Sequence, residues 1–331
     1  MAESEAVARP GGRVSDSAPE LSRRHRVEHA ALRGVTWLVR ALPQSWGTRL
    51  GHGIGWLGYR LDARHRKITL DNLAATFPER SVQERTRIAK QVFAHFGRKL
   101  VELLWFTGLP AERQLALVEF VGEEHIEKAL QAGKGALLVT GHFGFWELHA
   151  LAHGLRVGPM AVVARALDNP LLDRMLVDLR SSTGNIVIDR KGGLRRIMRA
   201  LNANQAVAVL IDQHILTADA VKVDFLGRPA ATTSAVAVLA LRTGAAVIPA
   251  FSLPLNDGRY RLIYEPPLVL PTEDNPDAVR DLTQRCTKVL EKYVRAHPER
   301  WLWMHRRWRD DVTTTESPSL AVDDTAGDAD A

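Results

Sequence analysis

Cysteine is almost absent from this chain: 331 residues contain one, Cys286. A lone thiol excludes an intramolecular disulfide and any cysteine-based metal cluster, and it is compatible with a reducing compartment. Long apolar runs are missing too. The most apolar early stretch, Val35 to Leu61, is interrupted by Arg40, Pro43, Arg49, His52 and Arg60. About 18 uninterrupted apolar residues are needed to span a bilayer, so no transmembrane helix is expected. Residues 1–26 are polar, with Arg23-Arg24-His25-Arg26 and no apolar core after them, and predict no secretory signal. Acidic residues are outnumbered, 38 against 44 Lys and Arg, for a net charge of +6. That balance speaks to partners rather than to fold, and it favours anionic lipid, nucleic acid or acidic substrates.

What is present is enough for a sizeable core, with 46% hydrophobic and 25% charged residues. Residues 1–26 read as a disordered tail, and the acidic, Thr/Ser/Ala-rich residues 311–331 as another. Between them, 27–110 reads as a helical region and 111–310 as an α/β domain. Helical spacing runs from Val27 to Leu42 and from Trp46 to Leu61, broken at Pro43 and followed by Arg60, Arg64, His65, Arg66 and Lys67. Two Trp-bearing apolar segments flanked by arginines suit an interfacial hairpin lying on an anionic membrane; ordinary surface helices packed on the core are the alternative. Ser81 and Glu84 form a capping box at the start of a helix over 82–107. A short strand at 118–121 and a helix at 123–132 follow.

From residue 136 the pattern alternates. Strands are expected at 136–140, 160–164, 185–188, 206–211, 221–225, 246–251 and 259–265. Helices are expected at 145–154, 170–182, 192–203 and 232–243, with a long charged one over 275–297. Repeated strand–helix–strand units predict an α/β fold with a mostly parallel central sheet flanked by helices. Asn256-Asp257-Gly258 marks the last two strands as a hairpin.

The stretch from Thr140 to His153 concentrates the candidate chemistry. Its strand delivers His142 into a loop at the carboxyl end of the sheet, where open α/β folds bind ligands. Glu147, in the first turn of the next helix, is placed to point back and hold the imidazole, as a carboxylate holds a general-base histidine. Zinc is a competing reading, because His149 and His153 sit at i, i+4 on one helix face, though no HExxH order is present. A loop histidine beside a solvated glutamate is the third.

Other polar side chains follow later strands. Arg165 suits a fork-like clamp on a phosphate or carbonyl oxygen, or is a surface arginine. Asn169 before Pro170 suits either binding or the cap of the next helix. Asp212-Gln213 ends the strand from Ala206; its carboxylate could assist His142, hold Arg165 or tie down a loop. Arg190, Lys191, Arg195 and Arg196 suit an anionic head group or a solvated face. Arg228 and Thr232 lie before an expected helix start and suit phosphate there. The aromatic and basic alternation from Trp301 to Trp308 reads first as packing across the sheet edge, and second as interfacial anchoring.

Six blocks in order carry a resemblance. Gly141-His142-Phe-Gly-Phe-Trp-Glu147 resembles the H-x4-D/E motif of glycerolipid-type acyltransferases, and more closely that of the lipid A late acyltransferases and phosphatidylinositol mannoside acyltransferases. Arg165 to Asn169 and on to Arg180-Ser-Ser-Thr-Gly184, Ile211-Asp212-Gln213, Phe225 to Thr233, and Leu302 to Trp308 are similar to further blocks of that branch, as is Asn72 to Pro78 upstream. The resemblance covers about residues 30–310. It implies transfer of a fatty acyl group from an acyl-carrier-protein or coenzyme A thioester to a hydroxyl of an anionic glycolipid, a lipid A precursor first.

In that reading His142 is the general base, Glu147 orients it, and Arg165, Asn169, Asp212, Gln213, Arg228 and Thr232 bind substrate. No cofactor, metal or nucleic acid is implied, and the location is the cytoplasmic face of a bacterial inner membrane, peripherally attached. Two departures bear on the acceptor: the early stretch lacks an uninterrupted apolar anchor, and His214-Ile-Leu-Thr replaces the Asp-Tyr-Gly of the lipid A enzymes. A mannoside or lysophospholipid acceptor is therefore the second reading. A non-catalytic module for anionic lipid or nucleic acid is the alternative of a different class.

Overall fold

The computed structural model describes residues 21–190, 192–217, 220–272 and 275–309. Lys191, the expected tail over 311–331 and residues 1–20 of the expected tail over 1–26 lie outside them; Arg23–Arg26 of that tail are instead the first turn of a helix. The first part is helical: α1 (Arg23–Ala41), α2 (Gln44–Leu61), α3 (Ala63–Thr76), α4 (Val82–Phe106) and the short α5 (Ala111–Ala116). Then come β1 (Val118–Val121), α6 (Glu123–Gln131), β2 (Ala136–Thr140), α7 (Trp146–Arg156), β3 (Met160–Ala164), α8 (Pro170–Ser181), β4 (Ile186–Asp189), α9 (Leu194–Asn202) and β5 (Ala206–Leu210). A hairpin of β6 (Ala220–Phe225) and β7 (Arg228–Thr233) precedes α10 (Ala235–Thr243), β8 (Ala246–Pro254), β9 (Tyr260–Tyr264), α11 (Ala278–Ala296) and a 3₁₀ turn at Pro298–Arg300. Helix α1 starts earlier than its apolar spacing suggests, because the Ser22 side chain caps it by accepting from the His25 amide.

Seven strands form one sheet in the order β1-β9-β8-β2-β5-β3-β4. Strands β8, β2, β5, β3 and β4 are mutually parallel; β9 turns back antiparallel on β8, and β1 runs parallel to β9. The sheet is thus mostly parallel, with the expected β8–β9 hairpin at one side. Side chains alternate across it. Leu137, Val139, Val207, Val209 and Val247 enter one core with residues of α3, α4, α9, α10 and α11. Ala136, Leu138, Ala206, Ala208 and Ile248 enter a second core with α6 and Ala150 of α7. Burial on both faces explains why these strands read as continuous apolar runs.

One expected element is corrected. The helix over 232–243 begins at Ala235, and Arg228–Thr233 is a strand paired antiparallel to β6. Leu226 and Gly227 have φ of 57° and 81°, so two positive-φ residues close a tight hairpin. Glu291 of α11 holds the Leu226 amide at 3.0 Å, and Gln284 bonds both the amide and the carbonyl of Asp224.

Candidate active site

Strands β2 and β5 are neighbours, with Thr140 opposite Leu210. Each chain then runs two residues further, to His142 and to Asp212. The shared register sets the two side chains face to face. His142 Nδ1 lies 2.8 Å from Asp212 Oδ1, and the His142 amide donates to Oδ2 at 2.7 Å. A carboxylate only accepts, so the ring proton sits on Nδ1 and the Nε2 lone pair is left for chemistry. The Gln213 amide nitrogen is 3.4 Å from Nε2, and the Trp146 ring meets the imidazole edge-on at 5.1 Å. His142 keeps a partly exposed side chain while that of Asp212 is buried. Burial alone would push the Asp212 carboxyl up. The His142 charge, the ring hydrogen bond, the Trp301 indole and the His142 amide outweigh it and hold the group below its ordinary value.

The loop carrying His142 is pinned on every side. Its carbonyl accepts from Leu302 N at 3.1 Å, Gly144 N donates to Arg300 O at 2.9 Å, and Phe145 N donates to Ser252 O at 3.2 Å. Gly144 has φ 61°, and a β-carbon there would run into the Ser252 carbonyl, so glycine is required. From α4, buried His95 donates Nε2–H to the Gly144 carbonyl at 3.0 Å. Burial and the nearby Lys99 charge lower its pKa well below the ordinary range, keeping the ring neutral. Lys99 itself pairs with Glu102 at 2.6 Å beneath the Phe145 and Tyr260 rings, and burial pushes it down to about 8.

Glu147 does not hold the imidazole; Asp212 does. Arg180, in the last turn of α8, takes the Glu147 carboxylate through both Nε, at 2.9 Å, and Nη2, and the Trp146 indole donates to it at 3.2 Å. Both side chains of that ion pair are largely buried. The reason is geometric: Asp212 is already delivered to Nδ1 by strand register, while Glu147 sits on a helix turned toward α8.

Of the other expected binding residues, Arg165 lies on the exposed β3–α8 loop, 3.0 Å from Asp168. Asn169 caps α8, accepting from Leu171 N at 3.0 Å, and its amide donates to Glu28 of α1 at 2.9 Å. That is the capping role, with both ends of the side chain engaged. Arg228 sits on β7 with its guanidinium 4.6 Å from the Trp308 ring centroid. Thr232 is fully buried on the same strand and accepts from Arg307. Neither residue stands at a helix start, because the segment is a strand. Gln213 keeps its place beside Nε2, and its carbonyl accepts from Arg307 at 3.3 Å.

His149 and His153 are buried against Tyr264, with His153 Nδ1 2.9 Å from its hydroxyl. Burial pushes them down to about 4 and about 3. They belong to the core, and no cluster of three or more metal-ligating side chains occurs among the described residues.

A histidine with a buried carboxylate behind it stands at the carboxyl edge of a mostly parallel sheet, an arrangement chemically suited to proton transfer at a bound substrate. The bacterial lipid A biosynthesis acyltransferase family model matches residues 19–310, and the chain belongs to that family of acyltransferases. It is 35% identical over 280 residues to the lipid A biosynthesis lauroyltransferase of Escherichia coli K12, covering 83% of this chain and 89% of that one. It is 29% identical over 231 residues to a phosphatidylinositol mannoside acyltransferase of Mycobacterium tuberculosis H37Rv, covering 69% and 71%. The crystal structure of a 1-acyl-sn-glycerophosphate acyltransferase from Thermotoga maritima is also similar, at a TM-score of 0.34 and 15% identity, over 75% of this chain and 97% of that one.

Proposed function

We propose that this enzyme moves a fatty acyl group from an acyl-carrier-protein or coenzyme A thioester to a hydroxyl of an anionic glycolipid, a lipid A precursor first. The observation that carries the reading is the His142–Asp212 pair, with Nδ1 committed to the carboxylate and Nε2 facing the Gln213 amide at 3.4 Å, a long contact that the acceptor hydroxyl would replace. The acceptor hydroxyl attacks the thioester carbonyl while Nε2 takes its proton, and Asp212 stabilises the imidazolium. When the tetrahedral intermediate collapses, the C–S bond breaks and the imidazolium returns the proton to the departing thiolate. Helix α7 begins without a side-chain cap at Phe145, so its first-turn N–H groups are the proposed donors to the oxyanion. Glu147 holds Arg180 as the nearby cation. The thioester is a substrate, and the scheme uses no resident cofactor, no metal and no nucleic acid.

The similarity to lipid A acyltransferases and the +6 charge support a lipid A-type acceptor. The mannoside acyltransferases among the relatives support the second acceptor class. Peripheral attachment to the cytoplasmic face of the inner membrane is proposed from the exposed Trp37, Trp46 and Trp56 of the α1–α2 pair. No helix among the described residues is long and apolar enough to cross a bilayer.

The test is thiol release from both donors with lipid A precursor, phosphatidylinositol mannoside and lysophospholipid acceptors. A general base contributes about 10²- to 10⁴-fold, so His142→Ala should lose at least a hundredfold with the productive pair. Turnover unchanged in that variant sinks the mechanism. Binding of anionic lipid without any thiol release points to the non-catalytic reading.

A further inference from the structure

We propose that Trp301 is a positioning residue for the reaction, its indole N–H setting the orientation of the Asp212 carboxylate that faces His142. The inference rests on the acyl-transfer reading above and adds a group to it from the far end of the chain. Asp212 has two oxygens with different work. Oδ1 takes the imidazole Nδ1–H at 2.8 Å. Oδ2 takes two donors, the His142 amide and the Trp301 indole, each at 2.7 Å. Were the indole removed, one of three hydrogen bonds to a fully buried carboxylate would go, and rotation about its last bond would no longer be opposed from that side.

The indole is not free to move. Trp301 is 1% exposed, and Trp303, Phe225 and Trp308 meet it edge-on at centroid distances of 4.7, 5.3 and 6.0 Å. The same segment grips the other half of the pair through its backbone: Phe143 bridges to Trp301, Leu302 N bonds the His142 carbonyl, and Arg300 O accepts from Gly144 N. Arg307, a few residues on, donates to the Gln213 carbonyl. One short segment thus holds both loops that carry the dyad. The indole donor is also one of the groups that keep the Asp212 carboxyl low despite its burial.

The rival account is that Trp301 only fills the core and that its N–H is merely satisfied. Trp301→Phe separates the two, since it keeps an aromatic ring and deletes the donor. Measured by thiol release with the productive donor and acceptor, it should lower kcat roughly tenfold to a hundredfold, on the scale of a lost hydrogen bond to a buried charge, with KM little changed. The decisive comparison is a double-mutant cycle with Asp212→Asn. If Trp301 acts through Asp212, then adding Trp301→Phe to Asp212→Asn should change kcat less than twofold. Equal losses in both backgrounds, or wild-type kcat in Trp301→Phe, overturn the proposal.

Should the phenylalanine variant fold poorly, the indole resonance of Trp301 in the otherwise wild-type protein gives a second measurement. Its N–H proton should resonate at low field and move upfield in Asp212→Asn; an unmoved resonance also overturns the proposal. Full turnover in both His142→Ala and Asp212→Asn would instead remove the acyl-transfer mechanism, while the resonance would still report on the Trp301–Asp212 contact.

Discussion

The three histidines of the Thr140–His153 stretch share a composition and have different chemistry, because burial and partner differ at each. His142 is partly exposed and faces a carboxylate, whereas His149 and His153 are sealed in the core without one. An unfolded histidine titrates near 6.5, while these two sit near 4 and near 3 in the fold. Between those values the unfolded chain binds more protons than the native one. Their contribution to stability is therefore full above about 6.5 and is lost as pH falls toward 4, at up to about 1.4 kcal/mol per pH unit for each group. Asp212 acts in a lower window: its folded value is depressed, so its contribution is lost only as pH falls below the ordinary 3.8. Urea midpoints taken between pH 7 and pH 4 should fall steeply in the wild type and less steeply in a His149→Gln/His153→Gln variant. Equal slopes would show that these rings do not carry the acid sensitivity.

Among the elements, the α2–α4 pair shows how small residues set a distance. Gly47, Gly51 and Gly55 form one buried stripe of α2, facing Gly97 of α4. A β-carbon on Gly51 would lie 2.5 Å from Arg98 Cα, a backbone atom that can yield only if the helices part. Gly51→Ala should therefore destabilise by about 1–3 kcal/mol, as overpacking does. Gly53 is the control: nothing lies within 4 Å of its would-be β-carbon, so Gly53→Ala should stabilise by about 0.5–1 kcal/mol through helix propensity. Denaturant titration of the two variants checks both signs. The close packing matters beyond stability, because α4 also carries His95 and Lys99, which support the Gly144–Phe145 end of the His142 loop.

At the scale of the whole molecule, packing α2 against α4 through glycines leaves its larger side chains outside. Trp56 is 59% exposed, with Trp46, Leu57 and Leu61 also open, and on α1 Trp37 is 74% exposed. Arg49 and Arg60 lie 6.0 and 5.1 Å from the Trp46 and Trp56 ring centroids. Exposed tryptophans with arginine partners match the interfacial zone of an anionic bilayer. Co-sedimentation with vesicles containing anionic phospholipid should be strong at low salt and weaken as salt rises. Replacing Trp37, Trp46 and Trp56 by alanine should reduce it at least tenfold. Binding untouched by those replacements would place the membrane contact elsewhere.

Much of this was legible in the residues. Apolar runs located β2, β5 and β8, the first of them bounded by glycines, since a strand buried on both faces needs no alternation. The Ser81–Glu84 capping box marked the start of α4, and the position of His142 at a strand end was readable from the same local pattern. The β6–β7 hairpin was not, because its turn uses Leu226 in a left-handed conformation that local preference disfavours, and contacts from α11 stabilise it. The partner of His142 was legible only as one reading among several, since Asp212 suited assisting His142, holding Arg165 or tying down a loop, while Glu147 was the first choice. Glu147 is near in sequence, and Asp212 is 70 residues away; only the strand order, which sets β5 beside β2, makes the distant carboxylate the near one. The sequence by itself determined which residues end the strands, through local hydrophobicity and turn chemistry. Which strand ends meet, and so which carboxylate serves His142 and which indole holds it, was decided by the packing of the whole sheet.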